Sequence, residues 1–306
     1  MKQLKGDLLL LITAIIWGTS FVSQKLGMNY IEPFTFGASR FLLGAVVLIP
    51  VIIFFDRTNK KTTKTKVELK RKDLLMGGLL CGGALFMGAS FQQWGIVGTS
   101  AGKAGFITAL YIVLVPIFGL FMNKKVNLLT WFGVALAIFG LYLLTIQKGF
   151  TLERGDALVL IGTVFWAFQI IFVDMFVDKV DALKLSFIQF VAAGFLSAMA
   201  AMIFETPELS AILEGSAVII YTAVMVVGVA YTLQIIGQKY TSPTAAAVIM
   251  SLESVFAVIS GAIFLNESMN TKEMLGCLIM FVAVVITQLK PEDLNKIFRR
   301  KAKEVN

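Results

Sequence analysis

Histidine is missing altogether from the 306 residues, cysteine occurs twice, proline six times, and only 15% of side chains carry a charge. Without histidine the chain lacks the commonest metal ligand and the commonest general base near neutrality. Cys81 and Cys277 both lie in apolar runs, so no disulfide framework is available. No Walker-type phosphate loop occurs, which removes ATP as a direct source of drive. What fills the space is apolar: 58% of the residues are hydrophobic, more than a soluble domain of this size needs. These features place the chain among all-α, polytopic integral membrane proteins and imply no catalytic residues, no metal and no cofactor.

Apolar segments near the spanning length of about 20 residues can be read at 8–26, 34–55, 74–97, 101–122, 127–146, 156–177, 183–204, 216–238, 243–265 and 272–289. The spacing therefore predicts ten transmembrane helices. The first is read as a span rather than a signal peptide, because it is long, has Asp7 in its flank and is followed by nine more. Lysine and arginine set the orientation. With a cytoplasmic amino terminus, 21 fall in inside segments and 5 in outside ones, with Arg40 left inside the second span, so both termini are predicted cytoplasmic. The net charge of +8 is concentrated in loops. The run from Arg57 to Lys72 reads as a topology-setting loop on anionic membrane lipids, not as a nucleic-acid site.

The chain also repeats itself. A shift of 149 residues superposes Gly6, Asp7 and Trp17 on Gly155, Asp156 and Trp166, and a shift of 142 pairs Gln92, Gly95 and Thr99 with Gln234, Gly237 and Thr241. Five spans per copy is an odd number, so the second copy enters the membrane inverted relative to the first. Inverted five-helix repeats are the architecture that alternating access uses. The organisation expected is a first repeat over 1–147, a second over 148–290 and a basic cytoplasmic tail over 291–306.

The stretches AIIWGTSFV, FGASRFLLGAVVLIP, AGKAGFITALYIVLVP and SLESVFAVISGAIFLNE, in that order, resemble the EamA-type members of the drug/metabolite transporter superfamily over Gly6 to Leu289. The resemblance implies a plasma-membrane carrier for small metabolites, often an exporter of amino acids or related compounds. It also implies a central cavity among spans one to four and six to nine, with the fifth and tenth peripheral. The position after Glu253, commonly proline in such proteins, is Ser254 here.

Candidate site residues follow from depth and helical spacing. In the stretch from Gly98 to Pro116, Ser100, Lys103, Ala104, Thr108 and Tyr111 share an arc of roughly 140°. Tyr111 lies about 15 Å into its helix, near the middle of a hydrocarbon core of about 30 Å. Its partner under the 142 shift is Glu253. An isolated carboxylate there costs about 3 kcal/mol or more, so it is either a sensor of a substrate amine or a coupling proton, or a structural acid bonded to a neighbouring helix. Tyr231 and Gln234 share one helical face with Gln238, and Gln92 ends the third span; such amides either line a cavity or join helices. Trp17 and Trp166 lie too deep for an interfacial belt, and Gln169 is one turn beyond Trp166. Arg40 either snorkels outward or attracts a carboxylate. The glycines of the third span suit close helix approach, and Pro116 suits a hinge or a static kink. The site expected thus comprises Trp17, Arg40, Gln92, Lys103, Tyr111, Trp166, Gln169, Tyr231, Gln234 and Glu253, serving a small-molecule substrate with a coupling proton or counter-substrate. The rival classes are an intramembrane lipid-modifying enzyme, for which the sequence offers no acid pair, histidine or metal site, and a non-transporting receptor, which gives an inverted duplication no purpose.

Overall fold

The computed structural model describes residues 2–59, 71–99, 101–124, 126–145, 153–264 and 271–288. Most of the basic run (60–70), Ser100, Lys125, Lys148 and the tail beyond 288 lie outside the described residues. Every regular element among the described residues is helical. Segments that meet hydrocarbon must satisfy their backbone groups internally, and a helix does so within one segment. The helices are α1 (Lys2–Gly27), α2 (Pro33–Asn59), α3 (Arg71–Val97), α4 (Ala101–Ala109), α5 (Tyr111–Phe121), α6 (Leu128–Thr145), α7 (Arg154–Phe176), α8 (Ala182–Phe204), α9 (Leu209–Glu214) and α10 (Ser216–Tyr221). A π-helical stretch follows at Thr222–Tyr231, then α11 (Thr232–Gln238), α12 (Pro243–Met250), α13 (Glu253–Phe264) and α14 (Thr271–Gln288). Eight helical segments are long and apolar enough to cross a membrane, counting α4 with α5, α10 to α11, and α12 with α13 as one each. Leu128–Leu143 and Met274–Thr287 are apolar but shorter.

Two close crossings hold the bundle, one at each end, and they join residues that the sequence shifts superpose. Where α1 begins, a Cβ on Gly6 would lie 2.9 Å from the Gly237 carbonyl oxygen. Beside it the Thr241 hydroxyl donates to Asp7 Oδ1 at 2.8 Å. At the opposite end, where α7 begins, a Cβ on Gly155 would lie 2.7 Å from the Gly95 carbonyl oxygen. There the Thr99 hydroxyl donates to Asp156 Oδ1 at 2.7 Å. Small residues let the backbones meet, and the threonine–carboxylate bond then fixes the turn after each crossing. Lys25, in the last turn of α1, donates to the Thr99 carbonyl and ties α1 to this second end.

The α2–α8 pair is stapled in the same reciprocal manner. Glu205, at the end of α8, accepts from the backbone amides of Phe34 and Thr35 at 2.7 Å each, occupying the start of α2. Asp56, near the end of α2, pairs with Lys184 at 3.0 Å near the start of α8. The glycines of α3 carry specific neighbours: a Cβ on Gly82 would lie 2.8 Å from the Gln189 carbonyl oxygen, and one on Gly88 would meet the Trp166 ring at 3.1 Å. Against this framework α6 and α14 pack on each other, with Gly133 against Thr287 and Gly140 against Met280.

The interruptions fall where the sequence offered no proline. Between α4 and α5 the chain breaks at Leu110, six residues before Pro116, with three-residue bonds from Leu110 N to Ile107 O and from Val113 N to Leu110 O. Between α12 and α13 it breaks at Ser251 and Leu252. Serine hydroxyls take up carbonyls there: Ser251 donates to Val248 O at 2.7 Å and Ser254 to Ser251 O at 2.8 Å. Ser254 thus stands in an interrupted segment without the proline the resemblance led one to expect.

Replacing Thr241 by Val removes a bond to a carboxylate and is expected to lower unfolding free energy by about 1–3 kcal/mol, measured by SDS titration in mixed micelles. Thr241→Ser should stay near the parent. Gly95→Val should be more severe, because its Cβ would lie 2.6 Å from the Gly155 carbonyl oxygen.

Candidate functional site

The two interruptions place Tyr111 and Glu253 as the first residues of α5 and α13. Amides at these starts remain bonded to the preceding turn, Val113 N to Leu110 O at 3.0 Å and Ser254 N to Ser251 O at 3.2 Å. Between the crossings lies a narrow cavity of about 440 Å³, counting the space at its mouth. One wall comes from α3, α4, α5 and α7, through Gln92, Thr108, Tyr111, Trp166, Gln169 and Ile170. The facing wall comes from α1, the π-helical stretch and α13, through Trp17, Ser20, Phe21, Gln24, Val226, Tyr231 and Glu253, and α2 adds Arg40.

Aromatic rings form the middle of the cavity. Tyr231 ends the π-helical stretch, a rare geometry that recurs at functional sites. Its ring centroid lies 4.9 Å from that of Trp17 and 6.1 Å from that of Trp166, whose plane it follows within 18°. Phe190 meets the same ring edge-on at 6.0 Å. Such offset and tilted pairs are the favoured arrangements for aromatic side chains.

Amides form two networks beside the rings. In the first, Gln92 Oε1 accepts from Trp166 Nε1 at 2.9 Å and from Thr108 at 3.2 Å, while Gln92 Nε2 donates to Gln24 Oε1 at 3.3 Å. Arg40 Nη1 donates to the same Gln24 oxygen at 3.1 Å. In the second, Gln234 Nε2 donates to Gln169 Oε1 at 2.8 Å and to Gln238 Oε1 at 3.0 Å, and Gln169 Nε2 donates to Gln189 Oε1 at 3.3 Å. Gln238 Nε2 closes this network on the Ile170 carbonyl at 2.9 Å.

Four polar atoms of the lining make no hydrogen bond within the described chain: Trp17 Nε1, Arg40 Nε, the Tyr111 hydroxyl and Glu253 Oε1. Tyr111 and Glu253 lie side by side, close enough for hydroxyl and carboxyl to interact. Buried polar groups are paired in the great majority of cases, and four of the seven unpaired buried side-chain atoms among the described residues fall on this surface.

Eight of the ten residues singled out from the sequence line this cavity: Trp17, Arg40, Gln92, Tyr111, Trp166, Gln169, Tyr231 and Glu253. Gln234 stands behind the lining, holding Gln169. Lys103 lies outside the lining and pairs with the fully buried Asp156 at 2.6 Å, within the crossing that Thr99 also joins. Arg40 does not snorkel; only 4% of its surface is exposed. Gln24 escaped sequence reasoning, although it follows Trp17 and Ser20 at seven and four residues, the spacing of one helical face.

The profile of the EamA-like transporter family matches residues 4–146 and again 153–289. An uncharacterized transporter of Archaeoglobus fulgidus is 31% identical over 291 residues, 95% of this chain and 88% of that protein. The uncharacterized inner membrane transporter YedA of Escherichia coli K12 is 24% identical, over 90% of this chain and 88% of its own length. A crystal structure that shares 17% identity superposes with a TM-score of 0.74 over 93% of this chain and 97% of its own, which speaks to the fold.

Lys103→Met leaves a buried carboxylate without its cation and is expected to lower stability by about 3–5 kcal/mol, read by thermal unfolding in detergent. Lys103→Arg should retain most of it. A Lys103→Met protein as stable as the parent would show that the pair contributes nothing.

Proposed function

Because the chain belongs to the EamA-like transporter family, we propose that it is a secondary transporter that carries a small organic metabolite, an amino acid or related compound, outward across the plasma membrane by alternating access. One observation carries the reading: a cavity between two helical walls, lined by aromatic rings and polar atoms, with two of those atoms at the interruptions of α4–α5 and α12–α13. Discontinuous helices whose ends point at a central site are a recurring device of carriers. A wall of rings and amides binds without reacting, which suits a solute that must be released unchanged.

The tandem family match and the two reciprocal crossings support inverted repeats of five spans each, over 1–147 and 148–290, with the tail 291–306 and the amino terminus both cytoplasmic. On that arrangement α1 with α11 to α13 forms one rocking unit and α3 to α5 with α7 the other. The Thr241–Asp7 and Thr99–Asp156 bonds lie within these units, whereas the Gln24–Gln92, Gln169–Gln234, Gln238–Ile170 and Lys25–Thr99 bonds cross between them and must exchange as the cavity opens. Trp17, Trp166 and Tyr231 hold the solute's apolar part; Gln92, Gln169 and, through it, Gln234 give exchangeable hydrogen bonds. Glu253 beside Tyr111 takes the solute's amine or a coupling proton, a counter-solute being the other source of drive. The names of the relatives speak for transport rather than catalysis.

Purified protein in liposomes preloaded with an unlabelled amino-acid mixture should accumulate labelled amino acids by counterflow. Gly18→Leu, whose Cβ would lie 2.6 Å from the Glu253 carbonyl oxygen, should reduce that rate at least about tenfold by forcing α1 off the first turn of α13 and distorting that wall of the cavity. If Glu253 carries a coupling proton, Glu253→Gln should abolish the pH dependence of uptake; transport with unchanged pH dependence would rule the coupling role out.

A further inference from the structure

Arg40 is the one cation in the cavity wall among the described residues, and its surroundings do not account for its charge. It is buried, it belongs to none of the ion pairs formed among the described residues, and its Nε makes no hydrogen bond. What it does have holds it in place without neutralising it. Nη1 donates to Gln24 Oε1 at 3.1 Å, and the guanidinium lies 5.0 Å from the Phe36 ring centroid and 4.9 Å from that of Phe41. The Gln24 oxygen is shared with Gln92, whose own oxygen is already taken by Trp166 and Thr108. A cation desolvated to this degree is expensive unless an anion completes it.

The other half of the chain shows what that position needs for packing alone. The 149 shift that superposes the two tryptophans brings Arg40 onto Gln189, and the 142 shift brings Gln92 onto Gln234. At the second position stands a neutral amide: Gln189 Oε1 joins the Gln169–Gln234–Gln238 network and the residue packs beside Gly82, its Nε2 left without a hydrogen bond. The charge at residue 40 is therefore surplus to the architecture.

We propose that Arg40 is the counter-ion for an oxyanion carried by the transported solute, a carboxylate or a phosphate, received between the guanidinium and the Gln24–Gln92 amides. This assignment rests on the cavity being the transport site. A guanidinium offers paired donors in a plane, which matches either group in bidentate geometry. The aromatic rings then meet the apolar remainder of the solute, and Glu253, on α13, is left for any group of opposite sign.

The test uses four labelled probes that share a phenyl ring and differ in charge: phenethylamine, 3-phenylpropionate, 2-phenylethyl phosphate and phenylalanine. Each is presented to the full-length protein in liposomes and read as counterflow. In the parent, at least one oxyanion-bearing probe should be taken up. Arg40→Gln keeps a donor for Gln24 and mimics the neutral second half. It should weaken uptake of the acidic probes and of phenylalanine by about 10- to 100-fold and change phenethylamine uptake less than about twofold. Arg40→Lys should recover part of the loss. Whichever of 3-phenylpropionate and 2-phenylethyl phosphate depends on Arg40 identifies the oxyanion. Equal loss of every probe in Arg40→Gln, no loss of the acidic ones, or uptake of phenethylamine alone by the parent would overturn the assignment while leaving a transport site. Counterflow of no probe by the parent would overturn the transport reading along with it.

Discussion

A polar group in a helix of membrane-spanning length has little access to water, so its partners must come from the protein. Much of this structure follows from that constraint. Asp7 and Asp156 are each met by a threonine from a turn distant in sequence. Glutamines on α1, α3, α7, α8 and α11 find one another in two networks. Even the carbonyls freed near Ser251 are answered by serine hydroxyls. Of the seven buried side-chain atoms left without a hydrogen bond among the described residues, four lie on the wall of the central cavity and three, on Gln93, Gln189 and Thr232, lie outside its lining.

Close backbone contact is what makes such pairing possible. Glycine at both crossings brings carbonyl oxygens within reach of the next helix, and the hydroxyl–carboxylate bonds sit directly beside those contacts. Packing and polar satisfaction are thus one feature seen from two sides. The same closeness limits the cavity: Gly18 lets α1 press against the first turn of α13, and Gly88 admits the Trp166 ring. The narrow space between the walls is set by these small residues rather than by the large ones that line it.

Composition and apolar runs made the helical segments legible, since the physics of burial in lipid leaves a strong and simple trace. The deep residues Trp17, Trp166, Tyr111 and Glu253 were legible too, because depth follows from counting along a helix and the internal shifts pair them. Harder to read was anything that depends on a partner far away in the chain. Lys103 shares an arc with Thr108 and Tyr111, yet Asp156 draws it to the end of the bundle. Gln24 lies on the right face but carries no distinguishing neighbour in sequence. Pro116 drew attention from Leu110, where the helix is in fact interrupted, because proline announces itself locally whereas a break shaped by tertiary packing does not.

The bond between Asp7 and Thr241 joins groups 234 residues apart. During synthesis the first helix therefore leaves the ribosome long before its partner exists. At typical elongation rates the interval is roughly 10 to 50 s, a wait in which the Asp7 carboxylate and the bare groove of Gly6 must be sheltered by headgroups, water or an insertion factor. Biogenesis of this chain thus ends with a docking event that closes its earliest segment against one of its latest.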